Sequence, residues 1–348
     1  MTLRSGINKN WKPDSLKRKK EAISYYVAGI RSSNHAILSE SITLLENLNT
    51  PEEFKLTLLH ELSTTHKGDS TDSLRIGISG SPGVGKSTFI DSFGKYLIDQ
   101  NRKVAVLAID PSSELTKGSI LGDKTRMHRL TADQRAFIRP TPSSNLLGGI
   151  APVTKESILL CEAAGFDTIL IETVGVGQSE THLRSIVDIF CLLLLPGAGD
   201  DLQGIKKGIV EISDLFIINK ADGNRELLAK ESQKFYKNAL HLQRASSSKW
   251  IKEILTCSAL EGKGLENIWT KIQEYKDIAI AENRFVEKRK EQDQLWVENK
   301  KNAILFKAVS DQFKSALEHN SQNTSTFNEL IVFKKFIEER LNKLEPNE

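Results

Sequence analysis

At 348 residues the chain is longer than one compact core ordinarily needs, so elements flanking a central domain are expected. Its 48 Lys and Arg nearly cancel its 45 Asp and Glu, and a net charge of +3 sets up no general field for nucleic acid. The three cysteines, Cys161, Cys191 and Cys257, lack paired spacing and point to reduced thiols in a cytosol-like, cytoplasmic setting, with no Cys/His cluster of metal-site type.

The first twenty residues are polar and offer no cleavable signal segment; Lys17-Arg18-Lys19-Lys20 reads as a solvated helix face. Residues 1–68 read as a helical arm. Its apolar positions are Tyr25-Tyr26-Val27, then Ile37, Ile42, Leu45 and Leu48, then Phe54, Leu58 and Leu62, with Pro51 opening the last helix. A polar connector, residues 68–72, leads to a short buried strand, Leu74-Arg75-Ile76-Gly77-Ile78-Ser79. Gly80-Ser81-Pro82-Gly83-Val84-Gly85-Lys86-Ser87-Thr88 then follows, with apolar residues at helical spacing over 89–97. A strand feeding a glycine-rich turn that opens a helix is the context in which this spacing binds phosphate. Backbone N–H groups converge on the oxygens and the helix N-terminus adds partial positive charge. Lys86 would meet the outer phosphates and Ser87 would ligate Mg²⁺. The fixed positions arise by accident in roughly one chain in a hundred of this length.

Two continuous apolar runs ending in carboxylates come next: residues 103–110, closing on Asp110, and residues 167–172, closing on Glu172. Such runs alternating with helices indicate a parallel sheet covered on both faces, with ligands at the carboxyl ends of its strands. Asp110 and Glu172 therefore stand as Mg²⁺ ligands, direct or through water, or as caps of strand and turn. Beyond Glu172, Gly175 would let the backbone approach a γ-phosphate. Gln178, two positions later than the water-orienting glutamine of most small GTPases, is a candidate for orienting water. The longest apolar stretch, 189–195, is too short to cross a bilayer. Residues 215–218 form an apolar strand running into Asn219-Lys220-Ala221-Asp222. The Asp222 carboxylate can take paired hydrogen bonds from guanine N1–H and its exocyclic amine, which adenine lacks. Asn219 would bridge backbone and base edge, and the Lys220 stem would cover the ring. Residues 251–256 read as one more strand, after which the backbone of Ser258, Ala259 and Leu260 could contact the guanine oxygen. These pieces in this order favour GTP over ATP.

Several longer runs resemble the MeaB/ArgK/MMAA proteins, G proteins that assist adenosylcobalamin-dependent methylmalonyl-CoA mutase. They are Asp110-Pro111-Ser112-Ser113, the segment 118–127 containing Asp123, Glu172-Thr173-Val174-Gly175-Val176-Gly177-Gln178-Ser179-Glu180, and the segment 195–206. The resemblance covers roughly residues 15–300. It implies a three-layer α/β P-loop GTPase with a mostly parallel sheet and helical extensions at both ends. It places Asp110 and Asp123 in a first mobile segment answering Mg²⁺ and the γ-phosphate, Glu172 in a second, and residues near 198–210 in a third that reports nucleotide state to the mutase. GTP hydrolysis, slow without a partner, would time the loading of adenosylcobalamin and the expulsion of damaged cofactor. The chain has no Asp-x-His-x-x-Gly motif, so cobalamin is expected on the mutase. The division expected is an arm at 1–68, a GTPase domain at 69–280 and a charged helical arm at 281–348. An apolar stripe from Phe285 to Phe313 in that last arm would serve a homodimer or fold back on the core. Two other classes share phosphate loops: small-molecule kinases, for which no acceptor base or lid motif is visible, and nickel-insertion GTPases, whose His- or Cys-rich ligands are lacking.

Overall fold

Seven short apolar segments assemble into one sheet in the computed structural model, which describes residues 16–64, 72–110, 127–142, 152–173, 179–197, 207–241, 249–318 and 332–337. The strands are β1 (Leu74–Gly80), β2 (Val104–Asp110), β3 (Ala136–Pro142), β4 (Thr168–Thr173), β5 (Ile189–Leu194), β6 (Leu215–Ile218) and β7 (Glu253–Thr256). Their order is β3-β2-β4-β1-β5-β6-β7, and every pairing is parallel. Strands β1, β4, β5 and β6 are buried along their whole length, which is why their sequences run apolar without alternation. The expected strands at 74–79, 103–110, 167–172 and 215–218 are all present. The strand expected at 251–256 starts two residues later: Ile251 is solvent-exposed, and Trp250 turns inward to donate its indole N–H to Asp214 O at 3.0 Å. Strand β3, with Pro140 and Pro142, escaped sequence reading. Proline cannot donate to a ladder, and β3 lies at the sheet edge, where that costs least.

Helices pack on both faces. α4 (Lys86–Asp99) buries Phe89, Phe93 and Leu97 in one cluster with Ile76 and Ile78 of β1. Between those two isoleucines Gly77 points the other way, and a Cβ there would meet Leu183 of α7 (Ser179–Arg184) at 3.0 Å. Each such buried side chain contributes about 1.5–3 kcal/mol relative to exposure. The N-terminal helices α1 (Leu16–Arg31), α2 (His35–Glu46) and α3 (Glu52–Thr64) lie against α6 (Pro152–Ala163), and a short α5 (His128–Thr131) packs on α4. Asn34 starts α2 by accepting from the N–H groups of Ala36 and Ile37, and Pro51 immediately precedes α3. Leu48, expected on the apolar face, falls beyond α2 and is exposed. Arg139 of β3 ties the sheet edge to α2 through Ser39, Thr43 and Glu46.

The remaining helices are α8 (Lys207–Ile212), α9 (Glu226–His241), α10 (Leu265–Ala281) and α11 (Arg284–Glu318). Among the described residues no helix is long and apolar enough to cross a membrane. The chain forms two compact units, Met1–Gln292 and Asp293–Glu348. Within the first, a buried ionic cluster joins the N-terminal ends of β1 and β5 to the start of α11. Arg75 grips Glu162 through two bonds of 2.8 Å, Arg289 grips Asp188, and Ser73 bonds both Glu162 and Arg289. Within the second, Phe313 packs against Phe333 and Phe336, with ring centroids 4.9 and 5.5 Å away.

Candidate nucleotide site

β1 ends at Gly80, and α4 begins at Lys86 with Gly85 as its cap in the left-handed region, φ +92°. At the two ends of the turn between them a side chain does not fit. A Cβ on Gly80 would lie 2.6 Å from Leu193 O, and one on Gly85 would lie 2.8 Å from Asn219 Nδ2. Val84 is fully buried and anchors the loop from beneath. Lys86 Nζ donates to Gly80 O at 2.8 Å and lies across the loop. Burial pulls its pKa below the ordinary lysine value, and the nearby carboxylates of Glu172 and Glu180 oppose that pull.

Glu172 is the penultimate residue of β4, in register with Ile78 of β1, and is only 7 % exposed. Its Oε1 lies 3.5 Å from Ser87 Oγ. Two hard oxygen donors beside the lysine at the mouth of a phosphate loop fit Mg²⁺, whose remaining positions phosphate oxygens and water can fill. Glu180 at the start of α7 is almost fully buried and adds a second negative charge near Lys86. β2 ends at Asp110 on the same sheet edge, separated from β1 by β4. The Asp110 side chain, together with Asp123, Gln178 and the segment 198–206, lies outside the described residues.

The residues expected to read the base are bolted to the loop. Asn219, just after β6, donates to Val84 O at 2.9 Å and accepts from Ala259 N at 3.1 Å and Cys257 Sγ at 3.4 Å. Lys220, at φ +60°, sends its Nζ to Gly83 O at 2.6 Å, so its stem spans from the base side to the phosphate side. Ala221 N donates to Cys257 O, which sets the 219–222 segment beside the 257–260 segment. Ser92 of α4 donates to Ala259 O at 2.5 Å and ties that segment to the phosphate-loop helix. The Asp222 carboxylate accepts from Ser258 Oγ at 2.8 Å and from Arg225 Nη2 at 2.8 Å. The Ser258 hydroxyl, seconded by Arg225 and Lys220, holds its pKa below the usual carboxylate range, so it is an anion at neutral pH.

The structure thus brings together residues 80–88, Glu172, Asn219, Lys220, Asp222 and the backbone of Ser258, Ala259 and Leu260. The Ala259 N–H is committed to Asn219 rather than turned outward. Sequence reading assigns no role to Glu180 or Arg225. Glu180 opens a helix after an apolar strand, and Arg225 stands three residues past Asp222, a spacing at which a turn pairs opposite charges.

The model of the family "Methylmalonyl Co-A mutase-associated GTPase MeaB" matches residues 38–315. A putative GTPase of Caulobacter vibrioides is 46% identical over 286 residues, covering 82% of this chain and 85% of its own length. GTPase ArgK of Escherichia coli is 45% identical, covering 77% and 80%, and the mitochondrial methylmalonic aciduria type A homolog of mouse is 42% identical, covering 82% and 70%. Among solved structures, that of a LAO/AO transport system kinase superposes with a TM-score of 0.69 at 33% identity, over 92% of this chain and 98% of the other.

Proposed function

The chain belongs to the family of methylmalonyl-CoA mutase-associated GTPases, and from that premise we propose that it gates cofactor loading on a B12-dependent acyl-CoA mutase. It is a P-loop GTPase: it binds a guanine nucleotide and hydrolyses GTP to GDP and phosphate. The observation that carries the reading is the Asn219–Val84 hydrogen bond with the Lys220–Gly83 contact beside it. These bonds couple the segment that would read the base to the loop that would hold the phosphates.

The 80–88 backbone and Lys86 cradle the phosphates, while Asp222 takes N1–H and the exocyclic amine of guanine. With Ala259 N–H held by Asn219, the guanine oxygen falls to Leu260 N–H. Mg²⁺ would be held by Ser87 and Glu172, with Asp110 and Asp123 contributing directly or through water, and would neutralise charge on the β- and γ-phosphates. Gln178 would orient the attacking water. Loss of the γ-phosphate then releases the segments following Asp110 and Glu172, and residues 198–210 pass the change to the mutase. Unaided turnover is slow, and the mutase accelerates it. The helical arm at 1–68 and the GTPase domain at 69–280 form the working body. The arm at 281–348 presents exposed Leu295, Leu305 and Phe306 to a second copy in a cytoplasmic homodimer.

The test is to titrate the GTP-, GDP- and nucleotide-free forms with the B12-dependent mutase from the same genome while recording phosphate release. Nucleotide-dependent binding with a rate increase of about ten-fold or more is expected. Equal binding in all three forms, with an unchanged rate, refutes the gate. The relative described as a transport system kinase motivates one further arm with γ-labelled GTP and candidate acceptors, in which label is expected only in free phosphate.

A further inference from the structure

Asp222 can read guanine only if both carboxylate oxygens lie in the plane of the entering base. A carboxylate on a short side chain rotates freely unless something fixes it. Here each oxygen has its own protein donor. Oδ2 receives the Ser258 hydroxyl, which is itself oriented by the Glu261 N–H at 3.1 Å. Oδ1 receives Arg225 Nη2 at 2.8 Å. Each oxygen keeps a second lone pair, so the pair of guanine donors completes rather than displaces this arrangement. Arg225 reaches back because residues Gly223–Arg225 form a single 3₁₀ turn, closed by Arg225 N donating to Asp222 O at 3.0 Å. About half of the Arg225 side chain is solvent-exposed, whereas that of Asp222 is 12 % exposed. An exposed ion pair three residues apart contributes little to folding. Its leverage is on the orientation of the less exposed partner.

We propose that Arg225 is a positioning residue for guanine selectivity: it fixes the Asp222 carboxylate edge-on to the base and thereby sets how strongly the 2-amino group is read. The inference rests on Asp222 being the base-reading acid. An inosine nucleotide keeps N1–H and lacks the 2-amine, so the GDP-to-IDP affinity ratio reads the second hydrogen bond alone.

The experiment measures GDP, IDP and ADP affinities calorimetrically on the full chain with Mg²⁺, for wild type, Arg225→Leu, Arg225→Lys and Asp222→Asn, together with melting temperatures without nucleotide. Arg225→Leu is expected to lower the GDP-to-IDP ratio about five-fold, Arg225→Lys to restore part of it, and both to melt within a few degrees of wild type. An unchanged ratio in Arg225→Leu overturns the proposal, as does a lowered melting temperature at constant ratio, which would make Arg225 merely structural. Asp222→Asn separates the two levels. If it leaves guanine preference over ADP intact, the base-site reading fails; if it abolishes that preference while Arg225→Leu changes nothing, only the positioning role fails.

Discussion

Lys86 and Gly85 show how much chemistry a single position carries. Lys86 keeps a half-buried ammonium near the carboxylates of Glu172 and Glu180, and its removal would deprive bound phosphates of this cation. Lys86→Ala should weaken GDP and GTP binding by two orders of magnitude or more, about 3 kcal/mol, measured by calorimetry; wild-type affinity would remove the lysine from the site. Gly85→Ala places a methyl group against Asn219 Nδ2 at a left-handed backbone angle. It should cost about 1–3 kcal/mol of stability and displace Asn219 from Val84, lowering GDP affinity as well. Normal affinity with normal melting would contradict the bolted geometry. Asp222→Asn should turn preference from guanine toward xanthine nucleotides, because an amide donor meets the xanthine 2-oxygen; competition of GDP against XDP reads this directly. These positions were legible because glycine, lysine and aspartate at fixed spacing have few other reasons to occur together. Arg225 was not legible, since its role depends on a turn of three residues whose geometry composition does not dictate.

At the scale of elements, the strands with continuous apolar runs were readable because burial on both faces leaves no polar alternation to confuse them. Strand β3 was not, because its prolines and Arg139 are edge features whose meaning depends on the neighbouring β2 and α2. At the start of α11 the apolar stripe begins as expected, with Phe285 buried in the core, and polar bonds fasten the turn that follows. Arg289 and Gln292 bond Asp188 and Val187 O, and Lys288 donates to Asp188 O at 2.6 Å. Arg289→Ala leaves Asp188 buried with half its partners gone and should cost about 3–5 kcal/mol in urea unfolding; a loss below about 1 kcal/mol would show the cluster to be dispensable.

For the molecule as a whole, the same cluster predicts a pH profile. Asp188 and Glu162 are held below their ordinary carboxylate values: burial is the largest single influence and would raise them, but the ion pairs and hydrogen bonds together outweigh it, from Arg289 and Arg75 on Asp188 and from Arg75, Arg289 and Ser73 on Glu162. Their contribution is therefore complete above the ordinary carboxylate range and is lost as pH falls through and below it. Lys288 has the opposite consequence. Burial chiefly, with Arg184 beside it, pushes its pKa down to about 7, so the folded chain holds fewer protons than the unfolded chain from there up to the normal lysine range. Stability should accordingly rise with pH above about 7, and Lys288→Met should flatten that rise in chemical-denaturation midpoints. A wild-type profile flat from pH 7 to 9 would contradict the burial of that ammonium.

The proposed function depends on one guanine nucleotide lying across the loop before α4 with its base against Asp222. Titration of the full chain with GDP and then ADP in the presence of Mg²⁺, followed by heat, decides the matter. Binding of one GDP per chain at micromolar strength or tighter, about −8 kcal/mol, with no measurable heat from ADP, is the expected result. A flat GDP trace, or ADP bound as tightly as GDP, would contradict the account.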